Sequence, residues 1–493
     1  MKDESKGERG QELRYNWFQK YAIILISSLC SVVYMTILCT GAVIHDWYQG
    51  IKGENRLKPP DVEVRAHGYV PRVAYDNIKS LKATDNLQYY LQALGLDLEE
   101  YSVTTADGYI LVLHHIIDPK ETQEQRDLRK PVFLQHGLLS CSGNFIASGR
   151  NSLAYYFHEQ GKDVWMGNNR SWFKAQHATI KGNLYNSELY WKWGMKELAY
   201  QDLPAMIETV MIMKPKHTKL TLFGHSQGGL QSFLMLSNPH FSFIHDKIDL
   251  FVPLAPAVYP GQIFYTRSFI KILIKLPKSA WTMIFGFCAM LRNLCLMRDR
   301  MAHLWLFGKL AYYLFKFLFG WTARNWGRDK FVWHILFIYC MSYVSVELMQ
   351  YYLANFASGG FVDMLQPKET YFNGGHYSAE TFKSNDAEMT FPYCSSWFKN
   401  TRKVPMLIFS GDDDYLVDGK RLVSHMQHYE PDYTEGQNFK YYNIPTYNHL
   451  DICWAEDVIG TVGYAVCREW ERLENSENGE MGEKVATSGT LEE

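Results

Sequence analysis

Leu220-Thr-Leu-Phe-Gly224-His225-Ser226-Gln227-Gly228-Gly229 runs four β-favouring residues into a glycine-flanked serine and then into a helical stretch. The pattern is G-x-S-x-G between a strand and a helix, and the chemistry explains the spacing. A serine on a sharp, strained strand-to-helix turn projects its hydroxyl above the sheet. Side chains at the flanking positions would strike strand and helix atoms, so glycine is required there. The amide that follows the serine points to where an oxyanion develops. The pentapeptide alone arises by chance in glycine-rich turns; its setting makes Ser226 a candidate nucleophile.

Outward from this turn, strand- and helix-favouring stretches alternate. Pro131-Val-Phe-Leu-Gln is a short apolar strand ending at His136-Gly137-Leu138-Leu139. A helical stretch at 152–160 leads to the strand Asp163-Val-Trp-Met, and another at 197–212 leads to Leu220. Further upstream, Asp107-Gly108 between β-rich runs predicts a hairpin. Downstream, two more strands are expected, at 404–409 and 441–444. The alternation predicts an α/β fold, a mostly parallel sheet with helices on both faces.

A serine hydroxyl is too weakly acidic to attack unaided and needs a base. Where such a turn carries the nucleophile, its partners follow in the chain order Ser, Asp/Glu, His. His449, in Pro445-Thr-Tyr-Asn-His449-Leu-Asp451 after the last strand, meets that order. His425 and His428 fall on a predicted helix and read as surface residues. The acid is sought after the preceding strand, among Asp412, Asp413, Asp414 and Asp418. Asp414, just before apolar Leu416-Val417, is the choice to accept the imidazole N–H and hold its tautomer. Asp412 and Asp413 read as a solvated turn, and Asp418 is the second choice. The backbone amides of Leu138 and Gln227 are the expected oxyanion donors, with His136 and His225 as structural flanks.

The 493 residues are 47% hydrophobic and 21% charged, with a formal net charge of −2. A large core is available, and the net charge gives no hint of a nucleic-acid partner, which would favour a strongly basic domain, so none is expected. The nine cysteines show no C-x-x-C spacing, and H-E-x-x-H and P-loop patterns are absent, so no metal or cofactor is expected.

Tyr21 to Ile44 form 24 consecutive uncharged residues, enough to cross a hydrocarbon layer of ~30 Å. Trp17, Phe18 and Tyr21 lie at one end and Trp47 and Tyr48 at the other, as interfacial belts do. Cleaved signals have a shorter apolar core, so an uncleaved membrane anchor is expected; a segment within one leaflet and a buried core helix are the alternatives. Five Lys/Arg before the run against three close behind it favour a cytoplasmic N-terminus. Between residues 262 and 330, twelve Lys/Arg stand against two acidic residues amid many aromatics. That composition suits helices at a lipid surface, and an ordinary cap packed on the core is the other reading. The expectation is a cap enclosing an apolar tunnel for acyl or sterol groups, with Lys309 and Lys316 on an outer face that binds lipid.

Several stretches together resemble the acid lipase family of α/β-hydrolases, which includes lysosomal acid lipase, gastric lipase and fungal steryl ester hydrolases. They are Ser102-Val-Thr-Thr-Ala-Asp-Gly-Tyr-Ile-Leu, His136-Gly-Leu-Leu, Val164-Trp-Met-Gly-Asn-Asn-Arg170, Glu197-Leu-Ala-Tyr-Gln-Asp202-Leu-Pro-Ala, Gly224-His-Ser-Gln-Gly and Tyr447-Asn-His-Leu-Asp451. Ser171 stands where the family often has glycine. The resemblance implies the α/β-hydrolase fold with an inserted helical cap, a triad on Ser226, Asp414 and His449, and oxyanion donors on Leu138 and Gln227. The expected organisation is a charged segment 1–20, an anchor 21–44, a linker 45–83 and a core first part 84–256. A cap at 257–395, a core second part at 396–473 and a disordered acidic tail at 474–493 complete it. An N-terminal anchor resembles the membrane- or lipid-droplet-associated steryl ester hydrolases. The implied activity is hydrolysis of neutral-lipid esters, steryl esters first, at a lipid droplet, the endoplasmic reticulum or the plasma membrane. A triacylglycerol lipase or a lipid transacylase is the alternative with the same triad. A non-catalytic, membrane-bound lipid- or protein-binding scaffold is the alternative of another class.

Overall fold

The computed structural model describes residues 15–53, 68–290, 292–327, 329–357, 359–372 and 389–488. Most of the charged N-terminal segment, the Pro59-Pro60 stretch and residues 489–493 lie outside them.

Eight strands form one sheet: β1 Asp97–Thr104, β2 Ile110–Ile117, β3 Pro131–Gln135, β4 Asp163–Asn168, β5 Leu220–His225, β6 Ile248–Leu254, β7 Met406–Gly411 and β8 Phe439–Ile444. Their order is β1-β2-β4-β3-β5-β6-β7-β8. Only β1/β2 and β2/β4 are antiparallel; the remaining pairs are parallel. The β1–β2 hairpin turns at Asp107-Gly108, where Gly108 takes φ 90°. Every residue of β3, β4, β5 and β6 is buried, as expected of strands covered on both faces. Separate apolar clusters pack on the two sides of the sheet.

Strand β6 has no counterpart among the strands expected from sequence. Its Pro253 argues against a central strand, because proline cannot donate to the ladder. The sheet accommodates it on one edge of the strand. The amides of Phe251 and Ala255 donate to Pro405 and Phe409 on the β7 side, and the alternate residue between them is Pro253. The β6–β7 pairing is interrupted there, with only Phe251↔Met406 and Leu254↔Phe409 in register.

The helices used below are α1 Trp17–Ile51, α2 Gln227–Ser237, α3 Lys278–Phe285, α4 Arg292–Met301, α5 Leu306–Phe319, α6 Gly419–Tyr429 and α7 Tyr464–Ser488. Helix α1 starts at a capping box on Asn16 and runs 35 residues, roughly 52 Å at 1.5 Å per residue, beyond the apolar run at both ends. It packs along α3 and α5. Only Ser27, Ser31, Leu38 and Ala42 of it are buried, whereas Leu25, Leu29 and Ile37 are 60–65% exposed. That distribution is the reverse of a core helix. By length and composition α1 is able to cross a membrane. Between β6 and β7 the described residues form helices and connecting turns that cover the C-terminal ends of the strands.

One expectation is corrected. His425 is not a surface residue. It lies on the inward face of α6 with Leu422 and Met426, its imidazole stacks on Trp397 at 3.6 Å between ring centroids, and it bonds the Tyr393 carbonyl and Glu430. The four-residue spacing that places Leu422 and Met426 inward takes His425 with them. His428 on the outer face is exposed. Helix α7 runs to Ser488 and so enters the 474–493 segment whose composition favours disorder. Its first turns bury Ala465, Val466 and Trp470, and a helix nucleated by packing propagates at little cost.

Candidate active site

Ser226 sits between β5 and α2 with φ 53° and ψ −113°, a region that non-glycine residues occupy at an energetic cost. The surrounding backbone holds it there: its amide donates to Leu254 O at 2.9 Å, and its carbonyl accepts from Ala257 and Leu230. The flanking glycines are steric requirements. A Cβ at Gly224 would lie 2.6 Å from Gly228 O, one at Gly228 would lie 2.4 Å from Gln135 O, and one at Gly229 would lie 2.7 Å from the Pro256 side chain. The tight turn thus forces α2 down onto β3 and leaves the serine hydroxyl at the end of the sheet.

His449 and Asp414 meet Ser226 there. His449 Nε2 lies 2.8 Å from Ser226 Oγ, and His449 Nδ1 lies 2.7 Å from Asp414 Oδ2. The other oxygen, Asp414 Oδ1, accepts from the amides of Leu416 and Val417 at 2.9 and 3.3 Å. A carboxylate held from behind by two amides keeps its free oxygen on the imidazole. Asp418 caps α6 through the Arg421 amide instead. Asp412 accepts from Asn443 and lies near Lys420, and the Asp413 carboxylate accepts from the exposed Tyr415 hydroxyl.

The loop bearing His449 is fixed from below. Buried Asp451 accepts from the Asn448 amide at 2.7 Å, from Asn325 Nδ2 at 2.9 Å and from Trp326 Nε1 at 2.7 Å. Two of these donors come from the cap, and a third cap residue, Trp321, stacks on His449. Nothing local to the His449 segment signals Trp321, Asn325 or Trp326, which lie more than a hundred residues away in sequence.

His136 and His225 flank the turn. The Nδ1–H of His136 donates to Gly137 O, and its Nε2 accepts from the Asn169 amide at 3.2 Å; burial pushes its pKa down to about 4. His225 Nε2 donates to the His449 carbonyl at 3.2 Å, and burial, with the nearby His449, pushes its pKa down to about 3. Both are neutral supports. Gly137 brings the strand end against Ser226, since a Cβ there would lie 3.0 Å from Ser226 Cβ. Leu138 follows it at the wall of the pocket. Gln227 opens α2, where first-turn amides lack intrahelical acceptors.

Above Ser226 and His449 is a cavity of about 200 Å³, walled mainly by apolar side chains from the core loops, the cap and α1. A larger groove of about 890 Å³ lies between the cap, Asp46 of α1 and residues 81–83, lined by Lys82, Lys309 and Lys330 with Trp305 and Trp333. Ser226, His449 and Asp414 do not line it. Lys309 is exposed. Lys316 is not free for the lipid-binding role: its ammonium pairs with Asp46 of α1 at 2.9 Å.

A family model described as a partial alpha/beta-hydrolase lipase region matches residues 87–149. Sterol esterase 2 of Saccharomyces cerevisiae is 32% identical over 418 residues, covering 82% of this chain and 75% of that protein. Gastric triacylglycerol lipase of Homo sapiens is 29% identical over 401 residues, covering 77% of this chain and 89% of that protein. Among solved structures, a soluble variant of monoglyceride lipase from Saccharomyces cerevisiae, in complex with a substrate analogue, has a TM-score of 0.45 at 13% identity and covers 80% of this chain and 97% of that one.

Proposed function

Since the chain belongs to the acid lipase family of α/β-hydrolases and is a carboxylic ester hydrolase, we propose that it cleaves neutral-lipid esters, steryl esters first and triacylglycerols second, through Ser226, His449 and Asp414. The observation that carries this reading is the hydrogen-bonded chain Ser226–His449–Asp414 at the base of an apolar cavity. The steryl ester preference rests on the likeness to the yeast sterol esterase, together with the long apolar N-terminal helix.

In the first step Ser226 Oγ attacks the ester carbonyl while its proton passes to His449 Nε2. Asp414 holds the Nδ1–H and stabilises the imidazolium. The oxyanion rests on the amides of Leu138 and Gln227. Collapse breaks the ester C–O bond, and the alcohol leaves with the proton from His449. Water, deprotonated by His449, then attacks the acyl-enzyme and releases the fatty acid as Ser226 recovers its proton. Helix α1 holds the enzyme at the surface of a lipid droplet, the endoplasmic reticulum or the plasma membrane, with exposed Lys309 facing lipid.

Detergent-solubilised protein exposed to lipid is treated with a fluorophosphonate and assayed on labelled steryl ester and triacylglycerol. Labelling at Ser226, and loss of both labelling and hydrolysis in Ser226→Ala, are expected. Unlabelled, well-folded protein would refute the mechanism. Cells carrying Ser226→Ala should accumulate steryl ester; accumulated triacylglycerol with normal steryl ester reverses the substrate order.

A further inference from the structure

We infer that the N-terminal helix is itself a wall of the substrate site: Tyr34, Met35 and Leu38 of α1 contact the acyl or sterol group of the ester that Ser226 attacks. The inference rests on the hydrolase reading above and specifies where its substrate is bound. These three residues line the same cavity as Ser226 and His449. Their spacing places them on one side of the helix, and Leu38 is only 9% exposed.

The helix is tied to the cap on either side of them. Asn293 Nδ2 on α4 donates to the Ser28 carbonyl at 3.1 Å and bonds its hydroxyl at 3.2 Å. Asp46 pairs with Lys316 on α5, with both side chains largely buried. Asp46 lies eighteen positions after Ser28, about 27 Å of helix, and the cavity residues fall between them. Between the ties, the Tyr34 ring meets Phe285 of α3 edge-on at 5.9 Å. Tyr34 and Met35 each pack against a different one of the two core clusters.

A plain tether needs length and hydrophobicity, and nothing in it has to reach the active-site cavity. Here one face of α1 closes that cavity, while Leu25, Leu29 and Ile37 on other faces are bare. The cavity residues belong to the stretch 21–44 that is suited to hydrocarbon. An ester dissolved in lipid therefore reaches Ser226 alongside α1 without crossing water, and the side chains of α1 help select it.

The test uses the full chain in lipid nanodiscs. Met35→Trp and Leu38→Trp fill the cavity from α1, Met35→Ala and Leu38→Ala enlarge it, and Ile37→Trp alters only an exposed position. Fluorophosphonate labelling of Ser226 reports folding and reactivity, and hydrolysis of cholesteryl oleate is compared with that of p-nitrophenyl acetate. The tryptophan variants should still label and should lower the long- to short-ester ratio by about tenfold or more. The alanine variants should shift preference towards bulkier esters, and Ile37→Trp should leave the ratio unchanged. An unaltered ratio in the tryptophan variants overturns the inference. If those variants do not fold, an unaltered substrate profile in the alanine pair overturns it as well. Failure of the unsubstituted chain to label at Ser226 tells against the hydrolase reading instead.

Discussion

The indole of Trp321 lies almost parallel to the imidazole of His449, with ring centroids 5.6 Å apart and planes 14° from coplanar. Trp321 in turn stacks on Phe319 at the end of α5, at 4.3 Å. The cap thus touches the proposed base directly, and the orientation of the imidazole depends on the cap being seated. Trp321→Ala should lower kcat/KM about tenfold, a loss of ~1.4 kcal/mol, and Trp321→Phe should restore most of it. Steady-state hydrolysis of a soluble ester measures both; full activity in the alanine variant would separate cap from base.

Asp414→Asn distinguishes the chosen acid from Asp418. Because Asp414 Oδ1 is held by the amides of Leu416 and Val417, the asparagine oxygen takes that place and its NH2 faces His449 Nδ1. The imidazole is then left in the wrong tautomer, and kcat should fall by about 10⁴, the size of effect known for this exchange in a serine protease triad. Asp418→Asn keeps a cap for α6 and should retain activity within about twofold. The reverse ranking in a kcat comparison would move the acid to Asp418.

Gly228→Ala should abolish folding of the turn. The added methyl meets the Gln135 carbonyl at 2.4 Å, and neither β3 nor α2 is able to yield without disrupting the sheet; overpacking of this kind costs about 1–3 kcal/mol or more. Gly327→Ala, whose Cβ meets nothing nearer than the Glu456 side chain at 3.6 Å, should be neutral. Thermal unfolding and fluorophosphonate labelling are the readouts, and a fully labelled Gly228→Ala protein would contradict the steric argument.

Acid should destabilise the protein through His136 and His225. Burial depresses both, to about 4 and about 3, while the unfolded chain titrates near ~6.5. Between these values the unfolded state binds more protons, so stability present above pH ~6.5 is lost as pH falls towards the folded pKa values. Each histidine contributes a slope of up to ~1.4 kcal/mol per pH unit. The thermal midpoint should therefore drop between pH 7 and pH 4, and His136→Gln should show a shallower dependence. A midpoint flat over that range would mean that neither imidazole is held neutral.

The strand-to-helix turn at Ser226, the hairpin and the alternation of strands and helices were legible because each is a local signal: glycines at fixed offsets, Asp107-Gly108, and short apolar runs. The approach of Asp414 and His449 to Ser226 was legible because the turn imposes a chain order on its partners. Other features depend on tertiary context. Pro253 hides β6 until its neighbours show which strand edge it occupies. His425 reads as polar until Trp397 is seen beneath it. Trp321, Asn325 and Trp326 acquire their roles from a loop that no spacing rule links to them. The pairing of Lys316 with Asp46 likewise became visible only once α1 lay against the cap.

The bond between Ser226 and His449 joins residues 223 positions apart, with the whole cap between them. A nascent chain therefore emerges with its apolar leading helix and its serine turn hundreds of residues before the imidazole exists. Such a polypeptide carries Ser226 without the imidazole that stands beside it in the finished fold. The hydrogen-bonded chain from Ser226 through His449 to Asp414 closes only after synthesis is nearly finished and the last two strands have joined the sheet, so on the proposed mechanism the protein is made without attacking an ester on the way.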